Sequence, residues 1–261
     1  ADFFDILARQ TSERDDVYER SLDELLKKSP FRFLSYDGIW LPLKYPWHLL
    51  DISAHVLEAC KDYRGKNVII APSAILEGRI YIEDNVKIFD HTKIVGPVYI
   101  GANTIIGNNS MVRESHIGEG CVIGFNSDVT RSYIGNSCWF HRNYVGDSVF
   151  EGNISMGSGS VLANLRLDEG EISSGLGGKK ITTGKTKLGA MIGEFVRIGV
   201  NTSIMPGVKI GRDSFVGAGI TVSADVAEQS FVNGEVKLSI TQNTKSVRNV
   251  SREVYKKKIS S

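Results

Sequence analysis

The sequence predicts a mainly-β fold: a parallel β-helix of six-residue units, preceded by a small α+β segment and followed by a tail helix. Apolar spacing, glycine placement and the interruptions of the pattern carry this prediction. From residue 70, apolar side chains fall on every sixth position as Ile70, Leu76, Ile82, Ile88, Ile94, Ile100, Ile106 and Val112. The phase slips by one to Ile117, Ile123 and Val129, slips again to Ile134, Phe140 and Val145, then after a gap resumes at Ile192 and runs to Val222. Glycine follows the apolar residue repeatedly, as at Ile100, Ile106, Ile117, Ile123 and Ile198. A helix repeats at about 3.6 residues and a strand at 2, so neither produces this period. A fixed short period with one apolar residue per unit is a solenoid.

Each hexad reads as one short strand and a bend, and three hexads close one triangular coil. The apolar residue points into the bore and stacks on its equivalent one coil away. Parallel strands buried in this way select β-branched residues, and Ile and Val dominate here. Glycine and asparagine at the bends supply positive φ.

The interruptions divide the chain into 1–63, 64–230 and 231–261. In the first segment, Asp2–Arg9 and Tyr18–Lys28 read as amphipathic helices, Phe31–Tyr36 as a strand, and Trp47–Tyr63 as a helix opened by Pro46. About sixty residues bury only a marginal core, so this segment needs the β-helix or another domain to lean on. Residues 163–187 hold glycines 170, 175, 177, 178 and 184 and lysines 179, 180, 185 and 187 without apolar phasing. They read as a loop thrown out from one corner, and long loops in compact proteins are usually functional. In the last segment, Ser251–Ile259 reads as a helix capping the bore, with Lys256–Lys258 a solvated face.

Composition narrows the function. Thirty-one basic and 30 acidic residues leave a net charge of +1, so no whole-chain field points to nucleic acid or an anionic membrane. Apolar runs fall far short of the roughly 20 residues of a membrane span, and no signal sequence opens the chain. Cys60, Cys121 and Cys138 are an odd, widely spaced set that fits neither a disulfide framework nor a zinc knuckle. A soluble cytoplasmic protein is the expectation.

The chemistry candidates cluster around the loop. His141 follows the interior Phe140 in HRNYVGDS (141–148) and is expected at the coil surface, with Tyr144 three residues on. Asn164 opens the loop in ANLRLDEGE (163–171), and one coil plus a corner could bring it beside His141. Arg113 and Arg131 are about one coil apart. Two stacked guanidiniums repel unless an anion lies between them, which suits a phosphate, and two independent surface arginines are the equal alternative. His91 and His116 read as inert surface residues, and Cys121 and Cys138 as small buried or bend residues.

With HRNYVGDS and ANLRLDEGE, the stretches GKKITTGKTKLGAMIG (178–193) and IGVNTSIMPGVKIG (198–211) complete a recognisable set. From about 66 to 230 the sequence resembles the acetyltransferase half of bifunctional sugar-1-phosphate nucleotidyltransferases, the archaeal-type two-activity enzymes above all. The resemblance implies a left-handed β-helix that assembles as a homotrimer with its site between neighbouring coils. It implies acetyl-CoA-dependent N-acetylation of an amino-sugar 1-phosphate, glucosamine 1-phosphate first, with no metal in the transfer. By the same resemblance His141 is the general base, Asn164 holds the acetyl donor, Tyr144 contacts the amino sugar, and Arg113 and Arg131 grip its phosphate. Val200 and Ala218 would line the coenzyme A groove.

Two departures qualify the match. The opening segment resembles the end of the family's nucleotidyltransferase domain through WLPLKYPWHLL (40–50), but Pro42 stands where the family has aspartate. Proline binds no metal-nucleotide, and no glycine-rich phosphate loop is present, so uridylyl transfer by this chain alone is not expected. The archaeal-type members also carry lysines shortly after ANLR, where this chain has Gly170 and Ser173. Lys179 and Lys180, or Lys185, are the candidates to replace them at the cofactor. A non-catalytic β-helix that trimerises a nucleotidyltransferase is the alternative function. A γ-class carbonic anhydrase needs two closely spaced zinc histidines, whereas His91, His116 and His141 fall 25 residues apart.

Overall fold

The computed structural model describes residues 2–12, 16–29, 31–32, 34–235 and 239–244. The chain divides into two compact units, 1–41 and 42–261. In the first, helices α1 (Phe3–Arg9) and α2 (Val17–Lys28) pack through Ile6 and the edge of Phe3 against Tyr18, ring centroids 5.3 Å apart. Arg9 and Gln10 both bond Glu24. The strand expected over Phe31–Tyr36 is not formed among its described residues, where Leu34 is 93% exposed. A strand needs a partner, and neither helix of this unit offers one.

The second unit is the β-helix. Its strands fall into three parallel sheets, the faces of a prism, with 8, 9 and 8 strands among the described residues. Face A runs from Tyr63–Arg64 to Lys209–Ile210, face B from Ile69–Ile70 to Phe231–Val232, and face C from Ile75–Glu77 to Thr221–Val222. Register is set by the inward residue. Ile100, Ile117, Ile134, Phe150 and Ile192 stand in line on face A, one coil apart. The bore is one continuous apolar core, from Ile80 to Val222.

The gap in the hexads after Val145 is confined to the loop that follows Leu162. Phe150, Met156 and Leu162 fill its first part, each fully buried and in register with the coils on both sides. The bore is wide enough there for Phe140 and Phe150 to meet edge to face at 5.1 Å.

Corners are held by columns of polar side chains. At the A/B corner Asn67, Asn85 and Asn103 adopt φ of 56°, 60° and 60° and pass side-chain hydrogen bonds of 3.1 Å from one coil to the next. Cys121 occupies the position of Thr104 one coil later, its Sγ donating to the Gly135 carbonyl at 3.2 Å as Thr104 Oγ1 does to Gly118. Hydrogen bonding with its neighbour Cys121, and then burial, push the Cys138 thiol far above its usual range, as a bend residue rather than a nucleophile.

Outward on face A, Tyr63, Tyr81, Tyr99, His116 and Tyr133 form one stack of rings with centroids 4.5–5.5 Å apart. His116 is therefore not a free surface residue. It lies between Tyr99 and Tyr133 with Nδ1 against the Ile134 carbonyl at 3.2 Å, and burial holds its pKa below the usual value.

Helix α3 spans His48–Ala59 rather than Trp47–Tyr63, because Tyr63 is already the first strand of face A. Trp47, just before it, stacks on Tyr45 at 4.7 Å and is buried against Val149, Ile172, Leu188 and Met191. The loop at 163–187 is not irregular throughout. Ser173–Leu176 and Lys179–Thr182 pair as an antiparallel hairpin about Gly177 and Gly178, both at positive φ. The helix expected over Ser251–Ile259 lies outside the described residues.

Candidate functional site

Two corners of the prism carry the side chains singled out by the sequence. The B/C corner follows the strands Trp139–Phe140, Ser155–Met156, Arg197–Ile198 and Phe215–Val216. Its first residues are His141, Gly157, Gly199 and Gly217, stacked coil on coil by register. Parallel strands lie about 4.8 Å apart, so this column runs along the prism axis, and Gly124 and Gly107 continue it on the other side of His141. Val200 and Ala218 follow Gly199 and Gly217 and are both exposed, Val200 at 48%.

Glycine is required here by contact rather than by φ. A Cβ on Gly157 would stand 2.6 Å from the Val200 nitrogen, and one on Gly199 2.6 Å from the Ala218 nitrogen. The Gly199→Ala variant is expected to part these coils at a cost of about 1–3 kcal/mol, read as a lower denaturant midpoint. The glycine N–H groups themselves donate to the next coil, Gly157 to the Ile198 carbonyl at 2.7 Å and Gly199 to Val216 at 2.8 Å. They are therefore not free to hold an oxyanion. One residue on, the N–H groups of Ser158, Val200 and Ala218 bond no acceptor among the described residues.

His141 is exposed and lines an open groove with Ser137, Trp139, Asn153, Ser155 and Arg197. Its imidazole has no hydrogen-bond partner among the described residues. Asn143 fixes the backbone beneath it: Oδ1 accepts the His141 N–H at 2.8 Å, and Nδ2 donates to the carbonyls of Gly157 and Ser160 at 2.9 Å each.

The C/A corner is the tight one. Steps of five residues, Val112 to Ile117, Val129 to Ile134 and Val145 to Phe150, replace six, and Glu114, Arg131 and Asp147 turn it at φ of 47°, 45° and 47°. Side chains other than glycine or asparagine rarely adopt this region. A column of buried serines compensates. Ser132 Oγ donates to the Thr130 carbonyl and accepts the Ser148 N–H at 3.1 Å, and Ser148 repeats the pattern one coil on.

Asp147 is the hub of this corner. Its carboxylate takes both Nε and Nη2 of Arg131, at 2.7 and 2.9 Å, and the Asn164 amide at 2.5 Å. The carboxylate raises the Arg131 pKa above its usual value. Arg113 is held separately by both oxygens of Asp128 at 3.1 Å. The two arginines are neighbours through the backbone, Arg131 N–H to the Arg113 carbonyl at 3.0 Å. Each guanidinium nevertheless has its own carboxylate, so their proximity does not demand a bound anion.

Tyr144 begins a face C strand and lays its hydroxyl toward Asn164, both within 2.7 Å of where a Gly146 Cβ would stand. A cavity of about 220 Å³ opens beside this corner, lined by Arg131, Asp147, Glu114, Lys185, Lys187 and residues of α3, with Lys185 bonded to Asp51 at 2.5 Å. Lys187 reaches it because Leu165 and Lys187 bridge as the loop returns and the Leu188 N–H bonds the Asn164 carbonyl. Its placement depends on that return, so sequence reading passed it over.

Within one chain the corners stay apart. Tyr144, Asn164 and Arg131 come together, while His141 lies at the opposite edge of face C in a different groove. The expectation that Asn164 lies beside His141 is therefore not met, because the loop leaves from the far corner. Lys179 and Lys180 sit exposed on a hairpin anchored by the bond from Lys209 Nζ to Ser174 Oγ at 3.1 Å, at the face A side rather than on the Val200 corner. No group of three or more His, Cys, Asp or Glu able to hold a metal occurs among the described residues, and no helix among them is long and apolar enough to cross a membrane.

The family described as "Bacterial transferase hexapeptide (six repeats)" matches residues 79–114 and 189–223. The "Bifunctional protein GlmU" of Methanococcus aeolicus is 34% identical over 244 residues, 88% of this chain and 56% of that protein. A "Bifunctional sugar-1-phosphate nucleotidylyltransferase/acetyltransferase" of Sulfurisphaera tokodaii is 34% identical over 217 residues, 81% of this chain and 53% of that protein. The chain thus spans about half the length of the curated relatives it matches. Among solved structures, a UDP-N-acetylglucosamine acyltransferase from Campylobacter jejuni aligns with a TM-score of 0.43 at 16% identity, covering 60% of this chain and 68% of that one. By its repeats, its coils and these relatives, the chain is a hexapeptide-repeat β-helix similar to the acetyltransferase half of GlmU-type bifunctional proteins.

Proposed function

We propose that this chain is an acetyl-CoA-dependent N-acetyltransferase acting on an amino-sugar 1-phosphate, glucosamine 1-phosphate first. The observation that carries the reading is the B/C corner: an exposed imidazole, unpartnered among the described residues, interrupts an axial column of glycines and is followed along it by Gly157, Gly199, Val200 and Ala218. A pantetheine arm laid on that track finds free N–H groups at Ser158, Val200 and Ala218 for its amide carbonyls and brings its thioester to His141. Histidine is the side chain best suited to take a proton near neutral pH. His141 removes a proton from the sugar ammonium, the amine attacks the thioester carbonyl, and the tetrahedral intermediate collapses to the amide as its nitrogen yields its remaining extra proton to the departing sulfur, so that coenzyme A leaves as the thiol. Holding both substrates in place supplies much of the rate.

Arg131, with Lys187, is the phosphate grip, and Tyr144 and Asn164 face the sugar. Because His141 and this second cluster sit at opposite edges of face C, the complete site joins His141 of one protomer to the Arg131–Asn164 corner of its neighbour, which fits a trimer. Its setting is cytoplasmic. With Pro42 in the metal-nucleotide position, the proposal includes no uridylyl transfer by this chain alone.

The deciding experiment offers the protein acetyl-CoA with glucosamine 1-phosphate or galactosamine 1-phosphate and follows thiol release, with coenzyme A binding by calorimetry alongside. Turnover of one amino sugar is expected. Binding without turnover removes these acceptors from the proposal, and no binding at all leaves a trimerising scaffold.

A further inference from the structure

The corner that bears His141 is built unlike every other B/C corner described. From face B to face C the inward residues are six apart, as at Ile106 to Val112, Ile123 to Val129, Met156 to Leu162 and Ile198 to Ile204, but Phe140 to Val145 is five. In those six-residue corners a left-handed residue makes the bend: Asn109 at φ 57°, Asn126 at 52°, Gly159 at 78° and Asn201 at 54°. Between His141 and Tyr144 that residue is missing, and no backbone there has positive φ.

The shortening changes the hydrogen bonding of one residue. The first residue of each corner donates its N–H to the next coil: Gly107 to Ile123, Gly124 to Phe140, Gly157 to Ile198, Gly199 to Val216 and Gly217 to Val232, at 2.7–2.9 Å. His141 alone in this run does not. Its N–H turns to the Asn143 side chain at 2.8 Å, and Asn143 fastens itself to the next coil through Gly157 and Ser160. Asn143 is 4% exposed, and the Ser127 hydroxyl it bonds ties the corner to the coil before.

We infer that Asn143 is the positioning residue of the site: by replacing the missing left-handed residue with its own amide, it lifts His141 out of the β-ladder and aims the imidazole over the acceptor amine. This rests on the proposed acetyl transfer for its consequence, though not for its geometry. The neighbouring six-residue corner Gly157-Ser158-Gly159-Ser160 supplies the control, since it turns the same chain with the ladder intact.

Two variants test the inference. In the first, glycine is inserted between Arg142 and Asn143 together with Asn143→Ser, copying the Ser158-Gly159-Ser160 turn. The second is Asn143→Ala. The insertion variant is expected to melt within a few degrees of the parent and to bind coenzyme A as the parent does. Its kcat should fall roughly 100-fold, the effect of a displacement of about 1 Å, with little change in the KM for acetyl-CoA. In Asn143→Ala, hydrogen exchange at the His141 amide should rise about tenfold, the loss of one hydrogen bond.

An insertion variant whose kcat stays within about threefold of the parent overturns the positioning role. Unchanged exchange at His141 in Asn143→Ala overturns the hydrogen-bonding account. Should the parent turn over no amino-sugar phosphate, the functional reading fails by itself, and the exchange measurement still decides how His141 is held.

Discussion

His141→Ala is expected to lower acetyl transfer by roughly 10²–10⁴-fold, the contribution of one positioned general base, and to leave folding untouched. The imidazole is exposed and bonded to nothing among the described residues, so its removal opens no cavity and strands no buried partner. The backbone bond from its N–H to Asn143 survives the change, because alanine keeps the amide. Thiol release would therefore collapse while the melting temperature and coenzyme A binding hold. Loss of melting temperature in step with activity would mean that the histidine supports the coil instead, and full activity would remove it from the chemistry. Imidazole added to the solution gives a second reading, since a small base can take up the vacated position.

Phe150→Ala carries the largest stability effect expected here, about 3–5 kcal/mol for a buried aromatic cut to a methyl. Phe150 is fully buried, stands between Ile134 and Ile192 on face A, and meets Phe140 edge to face. The coils above and below are fixed by their own ladders, so the bore cannot close over the space left. In a solenoid each coil contacts only its neighbours, and the loss falls at the middle of the stack, where it uncouples the coils before it from those after. A urea titration at constant slope reads the change as a lower midpoint. Phe150→Leu, which keeps most of the volume, is expected to cost less than about 1.5 kcal/mol. A shift below about 1 kcal/mol for Phe150→Ala would show that the site collapses freely.

The period of six legible from Ile70 onward is a property of local spacing, and it set the coil, the inward row and the bends without any knowledge of contacts. The slips at Ile117 and Ile134 were also legible as a change of phase. Their meaning was not: only the closed coil places both slips at the same C/A corner, where they force Glu114, Arg131 and Asp147 into left-handed backbone. The coil through Phe150, Met156 and Leu162 follows one more five-residue step and lies against the loop, which obscures its phase, although Gly157 after Met156 carries the same signal. The strand expected at Phe31–Tyr36 had the right residues and no partner.

The candidate site divides in the same way. His141, Tyr144 and Asn164 were found through short motifs, which are local. Asp147 lay inside one of those motifs, yet its hold on Arg131 and Asn164 joins residues from three coils and has no trace in spacing. Asn143 was in plain view as well, but its part depends on comparing one corner with its neighbours across the stack.

By itself, then, the sequence determined the repeat, the bore and the surface exposure of His141, because each follows from side chains within six residues of one another. The tertiary structure alone decided which corner each functional residue occupies, which charges cancel, and that His141 and Asn164 stand at opposite edges of one face. Those outcomes depend on how many residues each coil spends on each bend, and a bend one residue shorter redirects everything stacked upon it.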